Sequence, residues 1–245
     1  GPVHITDEQL HAALPDLSGT QRLADLGTAV DLFRDQWGIP HIKARTERDL
    51  FFAQGFATAQ DRLWQMDLDR QQALGRWSEF AGPIGLSRDR LLRAAGMGCA
   101  AKLDYEAASK PAKAMVDAYA AGVNAFIKNC RELPIEYTIL GARPEPWQSW
   151  HCPAVYKVRN TLMGTFEAKL LRTRLAGAIG PQKLAALTKG SATRHLLTVP
   201  PGADSAGPVA DSLEPLTRAA EAASRLGEAD TGSNAWVICG HLTRS

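Results

Sequence analysis

The sequence predicts an α+β chain that is mostly helical, with short strands near its two ends. Three observations carry that reading. Apolar residues recur every three or four positions through most of the 245 residues, as the buried side of a helix requires. Strict alternation is confined to short runs near residues 28–45 and 234–240. Apolar residues make up 45% of the chain, enough at this length to close a core.

Taken in order, residues 3–26 read as polar and helical, with Thr6 placed to cap "DEQLHAAL". "AVDLFRD" predicts a strand, "WGIP" a turn and "HIKAR" a second strand. A long helical period starts at Glu47, its apolar side marked by Leu50, Ala53, Ala57, Leu63, Met66, Ala73 and Trp77. Gly55 is a candidate break in it, and Gly82-Pro83 a firm stop. Two more helices are predicted at about 87–108 and 111–131, the second opening on Pro111, whose missing N–H costs nothing in a first turn. The Pro-rich "LGARPEPWQSWHCP" reads as a connection, and helices resume over roughly 153–188. Residues 189–232 change character, from the loop-forming "TVPPGADSAGPVADS" to the amphipathic "LEPLTRAAEAASRLG". Strand backbone groups cannot stay unpaired in a core, so the strands near the two ends need one another or partners outside this chain.

The 28 Lys and Arg nearly balance the 26 Asp and Glu, and the two signs are interleaved, as in "RDQWGIPHIKARTERD". Such a surface argues against a nucleic-acid partner, which calls for a concentrated basic face. No run of eighteen apolar residues exists, so membrane insertion as a helix is not expected. No signal peptide is visible; Gly1-Pro2 matches the pair a tag-removing protease leaves, so export stays open. Cys99, Cys130, Cys152 and Cys239 form no C-x-x-C pair and are expected to be mostly buried thiols, with pairing open for an exported protein. The six histidines show no metal-ligand spacing.

Two motif-like matches carry little. "GMGCAA" at 96–101 fits a dinucleotide fingerprint but follows a helical segment where a strand is required. Asp61, Asp67 and Asp69, beside Arg62 and Arg70, are better read as ion pairs or buried structural bonds than as an acid–base cluster. Gly232-Ser233-Asn234 is different in kind. A serine needs a base, and neither G-x-S-x-G nor a suitably placed histidine is present. Its own α-amino group, once freed by cleavage, would serve: with a pKa of about 7.7–8.0, roughly a tenth is neutral near neutral pH. By itself the triplet is also an ordinary turn before a strand.

Four segments in order resolve that ambiguity: "VDLFRDQWGIPHIKA" (30–44), "DLFFAQGFATAQDRLWQMDLDRQQALGRWSEFAGP" (49–83), "EYTILGARPEPW" (136–147) and "GSNAWVICG" (232–240). Together they resemble the penicillin amidase family of N-terminal-nucleophile hydrolases. The resemblance implies a precursor that cuts itself between Gly232 and Ser233, releasing a helix-rich α subunit (3–188), a tail and spacer (189–232), and a β subunit opened by Ser233. The two subunits interlock in an αββα sandwich that is incomplete without the β subunit. The mature enzyme hydrolyses an N-acyl amide, such as a β-lactam side chain, an acyl-homoserine lactone or an acylated peptide, through an acyl-enzyme on Ser233.

The same resemblance places Leu162, Met163 and Phe166, in "RNTLMGTFEAKLLRTRL", at the acyl pocket, and Glu167 as a carboxylate of a structural calcium site. It makes Asn234 the strand entry and Trp236 a buried side chain. No organic cofactor is implied, and localisation is expected to be periplasmic or secreted. Because the oxyanion-hole donors come from the β subunit, the 245 residues alone are expected to be inactive. The alternative is a non-catalytic helical interaction module derived from the same family.

Overall fold

The computed structural model describes residues 4–162 and 166–187. Helix α1 (Asp7–Ala12) opens on a capping box in which Thr6 and Gln9 satisfy each other's backbone N–H. It ends far short of residue 26. Pro15 has no N–H to continue the ladder, and Asp16 turns the chain by accepting from the Ser18 amide at 2.9 Å. The segment then lies against the long helix, where Gln60 donates to the Asp16 carbonyl at 2.9 Å.

The two expected strands form one antiparallel hairpin. β1 (Asp31–Arg34) pairs with β2 (Pro40–Lys43), Leu32 opposite Ile42 and Phe33 opposite His41. Gly38 takes φ +77° in the turn, a conformation glycine adopts without strain. Asp35 Oδ1 accepts from the amides of Trp37 and Ile39 at 2.9 and 3.0 Å, which fixes the turn from within. Arg34 anchors the hairpin to the long helix through Asp61 at 2.9 Å and Gln60 at 2.8 Å.

Helix α2 (Glu47–Ala73) is the axis of the molecule. Thr46 caps it by accepting from the Asp49 amide at 3.1 Å. Asp49 in turn accepts from the amides of Gly27 and Thr28 and from the Thr28 hydroxyl at 2.7–3.0 Å, and these bonds hold its carboxyl below the usual range. The helix runs unbroken through Gly55; the irregular residue is Arg62, at φ −141° and ψ 19°. It also ends earlier than its pattern suggests. Gly75 at φ +62° closes a Schellman motif, its amide reaching Gln72 O at 3.0 Å while that of Arg76 reaches Gln71 O at 2.8 Å. Trp77 therefore lies outside α2, and Leu50 is exposed while Ala53, Ala57, Leu63 and Ala73 are buried.

Short α3 (Ser78–Ala81) runs into a 3-10 turn at Gly82–Gly85, so Gly82-Pro83 bends the chain where a stop is expected. α4 (Leu86–Ala94) and α5 (Met97–Ala107) divide the predicted 87–108 helix at Gly96, φ +69°. α6 (Lys110–Asn129) starts from Ser109 and Pro111 and packs along α2. Gly55 and Gly122 make that approach close: a Cβ on either would run into backbone of the facing helix. α7 (Ile135–Leu140), between the helix predicted at 111–131 and the Pro-rich connection, brings Tyr137 into the core. α8 (His151–Leu162), α9 (Phe166–Ile179) and α10 (Pro181–Leu187) follow, broken at Gly180. The main core joins Ala59, Leu63, Ala120, Val123, Phe126, Tyr137 and Trp147; a second cluster joins Ala73, Leu92, Ala101, Ala154 and Val158. Cys99 is exposed, and Cys130 and Cys152 are half-buried free thiols.

Candidate functional site

α2, α6 and α8 enclose a groove of about 610 Å³. Its floor is apolar, from Phe51, Met66, Met115, Val116 and Val155, and Gln54, Gln65, Arg62 and Tyr119 give it a polar side. At one end Asp69 accepts from Arg159 at 2.6 and 2.9 Å, tying α2 to α8. Arg62 reaches the lining from the one residue of α2 whose backbone leaves helical geometry.

Beneath the groove a buried polar cluster fixes the helices. Arg70 donates to Asp67 Oδ1 at 2.6 and 3.0 Å, and Tyr137 donates to Asp67 Oδ2 at 2.7 Å. The Arg70 guanidinium also bonds the carbonyls of Glu145 and Pro146 and lies 5.3 Å from the Trp147 ring centre. Burial, reinforced by the Asp67 charge, pushes the Tyr137 phenol well above its ordinary pKa. A buried carboxylate with a guanidinium and a phenol on its two oxygens is a structural bolt; the i,i+3 reading of Asp67 and Arg70 holds. Asp61 and Asp69 pair outside α2, with Arg34 and Arg159.

Burial raises the Cys152 thiol and the Tyr119 phenol on the groove's wall, so both stay protonated at neutral pH. Among the described residues no cluster of His, Cys, Asp and Glu is suited to a metal ion, and no helix is long and apolar enough to cross a membrane.

Of the residues singled out in the sequence, Gly232, Ser233, Met163, Asn234, Trp236 and Cys239 lie outside the described residues. The backbone of Leu162 ends α8, and Phe166 and Glu167 open α9. Leu162 thus lies one helical turn beyond Arg159, which lines the groove. The groove itself was missed in the sequence. Its one local signal was the amphipathic pattern of α2, and the rest is supplied by α6 and α8, far along the chain.

The penicillin amidase family model matches residues 29–245, and the chain belongs to that family. Penicillin acylase 2 proenzyme of Pseudomonas sp. (strain SE83) is 45% identical over 198 residues, 81% of this chain and 26% of that protein. Acyl-homoserine lactone acylase QuiP of Pseudomonas aeruginosa is 35% identical over 184 residues, 74% of this chain and 22% of that protein. The chain therefore spans about a quarter of the length of these relatives. A solved thermostable penicillin G acylase from Alcaligenes faecalis superposes with a TM-score of 0.55 at 26% identity, over 73% of this chain and 98% of that one. The described fold is mostly helical and corresponds to the α-subunit part of the penicillin acylase fold, with the sandwich incomplete.

Proposed function

We propose that the full-length gene product is an N-acyl amide hydrolase, made as a precursor that cuts itself between Gly232 and Ser233 and then works through Ser233. The observation that carries this reading is the reach of the family match, which runs from the hairpin through Gly232-Ser233 to residue 245. The solved relative supports it independently. That chain aligns over 98% of its length with part of this one, whereas this chain covers only 26% of the penicillin acylase 2 proenzyme. A short chain in one relative thus corresponds to part of a long precursor in another.

The chemistry follows from the residue types. Gly232 has no side chain, so its carbonyl carbon is open to Ser233 Oγ. Attack there and loss of the Ser233 amine turn the peptide bond into an ester, which water hydrolyses. The freed amine, with a pKa of about 7.7–8.0, then takes the hydroxyl proton as Oγ attacks the substrate amide. The amine returns the proton to the leaving amine, and water hydrolyses the acyl-enzyme.

A β subunit beginning at Ser233 contributes the oxyanion-hole donors, whose loss typically removes about 100- to 1,000-fold in rate. It also covers apolar surface that the described residues leave open, the α2/α6/α8 groove and the exposed hairpin residues Phe33, Trp37 and Ile39. Leu162, Met163 and Phe166 contribute to the acyl pocket, and Glu167 gives an oxygen to a structural calcium ion, a hard cation that takes oxygen ligands. The protein is exported to the periplasm or beyond. The relatives are named for penicillins and acyl-homoserine lactones, and both compounds carry an exocyclic N-acyl amide of the class proposed here.

The test is turnover. The purified full-length product is expected to release free amine from a penicillin or from an acyl-homoserine lactone, and Ser233→Ala is expected to abolish it. A folded gene product that hydrolyses neither amide contradicts the proposal.

A further inference from the structure

A second cleft, of about 530 Å³, lies between α5, the turn that ends α2, and the segment leading into α8. It shares no lining residue with the groove. His151 stands in its wall, only 4% exposed, with its ring edge-on to Trp147 and Trp150 at centroid distances of 5.4 and 4.4 Å. Its Nδ1 accepts the Gln148 backbone N–H at 3.0 Å, so the proton of the neutral ring sits on Nε2. That Nε2–H makes no hydrogen bond among the described residues and is not among the buried unsatisfied atoms, which leaves it free to donate into the cleft. Burial, together with Arg70, Arg76 and Lys102 and against the opposing Glu145, depresses the ring's pKa to about 3. The ring is therefore a neutral donor in a locally positive field.

The cations of the cleft differ in what they have left to give. Arg76 is largely committed, with four of its five N–H groups in use: Glu79 takes two at 2.7 Å and Glu145 two at 2.8 Å. Lys102 pairs with no carboxylate among the described residues and reaches over the Trp150 ring, 4.7 Å from its centre. Leu74, Pro146 and Trp150 supply an apolar wall. A neutral N–H donor, an ammonium lacking a counter-ion and an apolar wall together suit an anion that carries a short apolar tail.

We infer that this cleft binds a small monocarboxylate, its anion held between His151 Nε2–H and Lys102 Nζ and its tail against Trp150 and Leu74. The inference does not depend on the proposed amide hydrolysis. A carboxylic acid released by that reaction has the required chemistry, and so does any other free aliphatic acid.

Calorimetric titration of the full-length gene product with hexanoate, hexanol and hexylammonium tests it. Hexanoate is expected to bind saturably, hexanol at least about tenfold more weakly, and hexylammonium not at all. Lys102→Glu, a change on the protein surface, is expected to remove one hexanoate site while leaving the melting temperature unchanged. His151→Phe, where it folds, is expected to weaken the same site. Inhibition of turnover by the released acid, relieved in Lys102→Glu, would identify the enzyme's own product as the ligand; binding without effect on turnover would identify an outside acid. Equal hexanoate stoichiometry and affinity in wild type and Lys102→Glu, or hexanol binding as tightly as hexanoate, would overturn the inference.

Discussion

Tyr137 and Asp67 meet through one hydrogen bond of 2.7 Å that joins α7 to the C-terminal part of α2, across 70 residues of chain. Arg70 occupies the other Asp67 oxygen, and both members of that ion pair are 1% exposed. Removing the phenol leaves a buried carboxylate oxygen without its donor, so Tyr137→Phe is expected to lower stability by about 1–3 kcal/mol. Asp67→Ala strands the Arg70 charge instead and is expected to cost about 3–5 kcal/mol. Denaturant unfolding of the two variants checks both the size and the order. Equal losses would mean that the guanidinium finds another partner.

The crossing of α2 and α6 depends on two absent side chains. A Cβ on Gly55 would strike the Tyr119 carbonyl, and one on Gly122 the Phe52 carbonyl. Backbone cannot yield as a side-chain tip can, so either alanine variant must push the helices apart. Overpacking typically costs about 1–3 kcal/mol, and Gly55→Ala and Gly122→Ala are each expected at the upper end of that range. The control is Gly177→Ala in α9, where a Cβ would meet nothing within 4 Å; its helix propensity gain makes it neutral or slightly stabilising. Melting temperatures of the three variants decide the point.

His151 gives stability a pH dependence of known sign. Its folded pKa, about 3, lies below its ordinary value of 6.5. Between those limits the unfolded chain binds a proton that the folded chain refuses, so the group's contribution is full above pH 6.5 and is lost as pH falls toward 3. The groups facing the ring are Arg70 from α2, Arg76 from the turn after it, Lys102 from α5 and Glu145 from the segment before α8. His151→Asn keeps an acceptor but cannot titrate, and is expected to flatten the fall in urea midpoint between pH 6.5 and 4. An unchanged slope would show that carboxylates alone set it.

Local chemistry made much of the fold legible in the sequence. Thr6 and Pro111 act at helix starts because a side-chain oxygen or a missing N–H answers a purely local need. The hairpin was legible from alternation around "WGIP". The extra length assigned to the first and second helices came from ranking periodicity above Pro15 and Gly75, each of which ends its helix by backbone geometry alone. Gly55 misled in the other direction, since what it permits is a close neighbour rather than a break. The groove was illegible because residues from 51–69, 115–119 and 147–159 meet only after packing. Ser233, by contrast, was singled out by chemistry and resemblance alone.

Mass spectrometry of the complete, folded gene product bears most directly on the self-cleaving precursor. The expected result is two chains divided between Gly232 and Ser233, the second carrying a free serine amine, and a single uncut chain when Ser233 is replaced by alanine. An uncut wild-type chain that still hydrolyses N-acyl amides, or a Ser233→Ala protein that still divides at that bond, would contradict it.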